Sequence, residues 1–187
     1  MAVSRRQFVG TGSAGLLTFV VGGCEQRMTP GQAKIERAKL QALVLSETRI
    51  ADALAEQLVP GASKAGIGYF LDHQLAAPAD QQLLMIKYLG VPQPWRAFYR
   101  EGLRNINVAS NSLYKKNYVD LNADQAFELA SSLAAGTIAG WDGPPQGLFY
   151  FVLRSDAVDV VYGTEAGFAN LGIPYAAHVS PPSEWGQ

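Results

Sequence analysis

From Pro94 to Leu113 one pattern dominates: Trp95, Phe98, Tyr99, Gly102, Leu103, Ile106, Ser110 and Leu113 fall on a single stripe. Their spacing of about 3.6 residues is that of a helix face, and a stripe this long needs other elements to bury it. The rest of the chain supplies them. Thr29-Pro30-Gly31-Gln32 offers an N-cap, a proline at the first helical position and a capping-box glutamine. Apolar residues follow at Ile35, Ala38, Ala42 and Leu43, then at Ile50, Leu54 and Leu58. Ser46 offers a second cap, so this stretch is one long helix or two, stopped by Pro60-Gly61. Ile67, Phe70, Leu71 and Leu75 mark another helix ending before Pro78, and a short amphipathic stretch runs from Asp80 to Gly90. Asn122 and Gln125 form a second capping box before Phe127, Ala130, Leu133 and Ala134, with Gly136 as the stop. Leu148 to Tyr162, behind Pro144-Pro145, is apolar nearly all round and is expected to be the central buried helix. No sustained period-two run competes. The expected fold is all-α, about six helices in one bundle-like domain.

Composition limits what such a domain can do. With 187 residues, 48% of them hydrophobic, and a net charge of −1, the chain suits one packed domain. It suits neither disorder nor a general affinity for nucleic acid. One cysteine, Cys24, excludes an intrachain disulfide and a multi-cysteine metal cluster, and two histidines make a His-rich centre unexpected.

The N-terminus reads as an address. Ser4-Arg5-Arg6-Gln7-Phe8 precedes an uncharged run to Cys24, a basic start with an apolar stretch behind it. Ser4, Arg5, Arg6 and Phe8 resemble the twin-arginine export signal, with a plain secretory signal as the alternative. Val21-Gly22-Gly23-Cys24 resembles a lipobox, which would make Cys24 the lipid-bearing N-terminus of a chain anchored in a membrane. Gly10-Thr11-Gly12-Ser13-Ala14-Gly15 matches the dinucleotide fingerprint, but that motif requires a preceding strand, and here an arginine pair precedes it. The segments expected are a signal over 1–23, a helical domain over 24–163, and an extended tail over 164–187. In the tail, glycines and prolines separate the large side chains Phe168, Tyr175 and Trp185. It wraps its own domain or docks on a partner. Removing residues 1–23 takes away two arginines and no acid, leaving −3.

The near-neutral total hides an asymmetry. Six basic residues and one acidic lie between Lys87 and Lys116, and eight acidic with one basic from Asn117 onward. Arg96, Arg100 and Arg104 form a basic stripe, read either as a solvated face paired with the acidic C-terminal half or as a steering surface for an acidic partner. Catalytic signals are weak. Asp72 and His73 are adjacent on an expected helix and diverge, His178 lies in the tail, and no G-x-S-x-G elbow is present.

A series of short motifs runs through the chain in order: Leu58–Ala62, Ala65–Asp72, Tyr99-Arg100-Glu101-Gly102-Leu103, Phe149–Arg154, Val161-Tyr162-Gly163 and Leu171–Tyr175. Behind a twin-arginine signal, this order resembles the gluconate 2-dehydrogenase subunit 3 family. The family's Tyr-Gly-Gly-Asn element reads Tyr162-Gly163-Thr164-Glu165 here. The resemblance implies a non-catalytic small subunit of a flavin-dependent sugar or alcohol dehydrogenase. It also implies FAD in a large partner subunit and c-type haem in a cytochrome subunit, with no cofactor in this chain. The small subunit would escort its partner through twin-arginine export to the periplasm or the outer face of the cytoplasmic membrane, and export by itself leaves no role for nucleic acid. Partner contacts are expected at Arg96, Arg100, Arg104, Tyr162, Tyr175 and Trp185. The alternative is a free-standing envelope lipoprotein that binds a ligand.

Overall fold

A computed structural model describes residues 15–173. It opens with an antiparallel hairpin, β1 (Leu17–Val21) and β2 (Cys24–Met28), in register from Leu17↔Met28 to Val21↔Cys24. Eight α-helices follow among the described residues: α1 (Pro30–Ile35), α2 (Leu45–Leu58), α3 (Ala62–Ala65), α4 (Ile67–Ala76), α5 (Trp95–Tyr114), α6 (Ala123–Ala135), α7 (Gln146–Tyr162) and α8 (Glu165–Asn170).

The mostly helical architecture and several boundaries match the sequence. Thr29 and Asn122 both form full capping boxes, with Gln32 and Gln125 answering them. Gly136 ends α6 in the left-handed conformation. The Thr29–Pro60 stretch is two helices. The second starts at Leu45, one residue before Ser46, and Glu47 Oε2 accepts the Val44 N–H at 2.9 Å.

Helices α2 and α7 are the hubs: α2 touches α4, α5, α6 and α7, and α7 also reaches α3, α4 and α5. Between them lie Leu54, Leu71, Tyr99, Leu103, Ile106, Phe149 and Leu153, each without solvent exposure. Every such aliphatic or aromatic side chain contributes about 1.5–3 kcal/mol on burial. At the crossing of α5 and α7, Gly102 faces the Phe149 ring so closely that a Cβ would overlap it. Helix α7 is not buried all round, since Phe151 and Val158 are exposed.

Three segments differ from the sequence expectation. Leu17–Val21, assigned to the export signal, is a strand. Gly22 and Gly23 take φ of 58° and 85°, the pair of left-handed values that a two-residue hairpin turn needs. Phe19 and Met28 bury against Ala33, Ala38 and Tyr69 in a second small core. Within 164–187, read as extended, Glu165–Asn170 is a helix because the Thr164 hydroxyl accepts the Gly167 N–H at 3.0 Å. The stretch from Asp80 forms two short 3-10 turns, Ala79–Gln81 and Met85–Leu89, in place of an amphipathic helix.

Candidate functional site: an arginine-lined cleft

Helix α5 presents its exposed face beside the N-terminus of α2, and the two enclose a cleft of about 880 Å³. Arg96, Arg100 and Arg104 all line it, with Glu47, Glu101 and Trp95. Of the two sequence readings, pairing with the acidic C-terminal half finds no ion pair among the described residues. Arg100 Nε meets Glu47 Oε1 of α2 at 2.6 Å, while Arg104 pairs with Glu101 of its own helix at 2.7 Å and donates to the Asp142 carbonyl at 3.2 Å. Arg96 makes no ion pair among the described residues. Helix geometry explains this, because Glu101 and Arg104 stand three residues apart on one face.

Behind the cleft wall lies a buried polar group that sequence reasoning missed. Tyr99 Oη donates to Asp156 Oδ2 at 2.6 Å, and the Met85 N–H donates to Asp156 Oδ1 at 2.8 Å. Burial pushes the Asp156 carboxyl up to about 7, against the pull of these two donors. Burial first, then the neighbouring carboxylate, raises the Tyr99 phenol well above its ordinary value. The three residues come from α5, α7 and the turn between α4 and α5, so Asp156 ties these elements together. A second carboxylate does similar work: Asp72 accepts the N–H groups of Gln41, Ala42 and Leu43 at 2.8–3.0 Å and fixes the loop into α2. Its neighbour His73 points elsewhere, with its ring 5.2 Å from Phe19. Burial lowers the His73 pKa, with Asp72 and the Thr18 backbone opposing.

The other sequence-nominated residues disperse. Tyr162 is half-buried at the end of α7, packed on the main core. Cys24 is exposed beside the hairpin turn. Ser4, Arg5, Arg6, Phe8, Tyr175, His178 and Trp185 lie outside the described residues. The glycine-rich run ending at Gly15 is followed by a strand and not by the helix a dinucleotide loop requires. Among the described residues, no group of three His, Cys, Asp or Glu side chains is placed to hold a metal ion. No helix among them is long and apolar enough to cross a membrane.

Comparison with known families matches residues 45–179 to Gluconate 2-dehydrogenase subunit 3. The chain belongs to that family. No curated protein and no solved structure gives a significant match. The subunit 3 match begins at the first residue of α2, so the hairpin, α1 and the loop after it lie outside it. Inside it, the motifs of the subunit 3 resemblance meet in space. Tyr99 and Gly102 of one motif face α7, where Gly102 lies against Phe149 of another. Asp52 of α2 accepts the Gly68 N–H at 2.9 Å within a third. Tyr99, Gly102 and Phe149 of these motifs therefore build the bundle's interior, while Arg100 and Glu101 of the same α5 motif face the cleft.

Proposed function

We propose that this chain is the non-catalytic accessory subunit of an FAD-dependent sugar or alcohol dehydrogenase complex, exported by the twin-arginine route with its flavin subunit bound. The family match over residues 45–179 carries the reading. The family's name, gluconate 2-dehydrogenase subunit 3, supports a place in a dehydrogenase complex; the escort role, the flavin partner, a c-type cytochrome subunit and a lipid on Cys24 are what we add.

Two features support it. Twin-arginine export carries folded cargo, so one signal-bearing chain is enough for a partner that must fold around its cofactor first. The bundle also offers exposed apolar side chains, Phe127 on α6 with Phe151 and Val158 on α7, of the kind a subunit contact covers. In this reading FAD and haem chemistry belong to the partner subunits, and this chain supplies rigid surface.

Affinity capture of the tagged chain from the cell envelope tests the proposal. The expected result is a flavoprotein recovered with its FAD, whose export stops when this chain is deleted. Recovery of the chain alone, with flavoprotein export intact after deletion, would overturn it and favour a free-standing envelope protein.

A further inference from the structure

A second concavity straddles the start of the family match, between the loop after α1 and residues of α2 and α4. After α1 the chain turns through Arg37 at φ 51°, a left-handed conformation that glycine adopts more easily. This turn sets Arg37 at a pocket of about 560 Å³, also lined by Arg49, Leu40, Leu45 and Tyr69. Tyr69 is 5% exposed.

The charges there are not all paired. Lys34 is fully engaged, its Nζ 2.8 Å from Asp52 Oδ2, 2.7 Å from the Ser63 carbonyl and 3.0 Å from Ser63 Oγ. That pair neutralises itself. Arg37 and Arg49 make no ion pair among the described residues, although the Asp52 and Asp72 carboxylates also act on the phenol. Burial and the Asp52 and Asp72 carboxylates raise the Tyr69 pKa, with Arg37 opposing, so the hydroxyl stays a donor.

The surroundings indicate the kind of anion. Leu45, which lines the pocket, is 51% exposed, and Ile35, two residues before Arg37 in the chain, is 78% exposed. Lys39 is exposed too, and its N–H donates to the Val20 carbonyl at 2.8 Å, which holds this loop against the hairpin one residue pair from its turn. Exposed apolar residues next to unpaired cations suit a surface that is anionic at the headgroups and apolar just beneath.

We propose that the Arg37–Arg49–Tyr69 pocket takes the phosphate of an anionic phospholipid and that the face around it rests on a bilayer. The inference needs neither the flavin partner nor an acyl chain on Cys24, and it can fail while the subunit reading stands.

The test is co-sedimentation of the full chain, carrying Cys24→Ser, with phosphatidylcholine vesicles with or without phosphatidylglycerol. Binding is expected only with phosphatidylglycerol, weakening as salt rises. Arg37→Gln with Arg49→Gln should reduce it about thirtyfold. Lys115→Gln with Lys116→Gln removes the same charge from the end of α5 and should leave it unchanged. Tyr69→Phe, which keeps the ring, should weaken it without altering the circular dichroism. Equal loss in both double variants would reduce the effect to net charge and overturn the site. Competition by inorganic phosphate without vesicle binding would make the pocket a free-phosphate site. Binding to polyglutamate but not to vesicles would make it a protein-docking site. Either result overturns the proposal.

Discussion

Tyr99 and Asp156 are joined by a 2.6 Å hydrogen bond between α5 and α7, and both side chains are buried. The carboxyl reaches about 7, far above its ordinary 3.8, so between these values the folded chain holds a proton that the unfolded chain has released. Stability therefore falls as pH rises from about 4 to 7 and levels off above, by roughly 4 kcal/mol in all from this group. His73 has the opposite sign: its lowered pKa costs stability as pH drops through its ordinary 6.5. Asp156→Asn keeps an acceptor for the Met85 N–H and a polar partner for Tyr99 but has nothing to ionise. Denaturant midpoints measured from pH 4 to 8 should fall for the parent relative to Asp156→Asn, with the variant the more stable above pH 7. Parallel curves would show that Asp156 is ionised throughout.

Asp72 accepts three consecutive backbone N–H groups, those of Gln41, Ala42 and Leu43, and two of these bonds are buried. No side chain introduced by substitution at 72 could reproduce that arrangement except a close isostere. Asp72→Ala strands the donors and should cost about 3 kcal/mol or more, whereas Asp72→Asn retains one acceptor oxygen and should cost less. Thermal unfolding of the two variants checks the order, and equal losses would mean that the loop finds other acceptors.

The contrast between these two carboxylates shows how much was legible in the sequence. The α5 stripe, both capping boxes and the Pro60 and Gly136 stops depend on neighbours within one turn, and those were readable. Asp156 and Asp72 owe their roles to partners 57 and about 30 residues away, and no local pattern records such distances. The hairpin was missed for a different reason. Its apolar β1 and its Gly22-Gly23 turn also satisfy the pattern of an export signal, and one stretch cannot display both at once. On the cleft, the stripe of arginines was readable, but the α2 carboxylate that meets Arg100 became visible only once the helices were packed.

That double reading of β1 yields a measurement. Phe19 is 3% exposed and sits with Met28, Ala33, Ala38 and Tyr69, its ring against His73. Processing between Gly23 and Cys24 would remove it and open that small core. In the unprocessed chain, Phe19→Ala should cost about 3 kcal/mol or more. In a chain beginning at Cys24, the His73 pKa should rise back toward 6.5 because the burial that lowers it is gone. Mass spectrometry of the N-terminus, paired with an NMR titration of His73, reads both. A processed chain with His73 still shifted would mean that another segment refills the seat.

Arg96 differs from its two neighbours in making no ion pair among the described residues, and this separates docking from folding on the α5 face. Arg100→Ala breaks the pair with Glu47, an exposed contact, and should change stability by less than about 1 kcal/mol. Arg96→Glu breaks no pair, so its unfolding temperature should match the parent's. If this face steers an acidic partner, the charge reversal slows association at low ionic strength, and the deficit shrinks as salt screens it. Capture of the flavoprotein by the Arg96→Glu chain, measured at 20 and 500 mM salt as about the two screening extremes, should be reduced only at the lower. Equal capture at both would move the partner contact to the apolar side chains of α6 and α7.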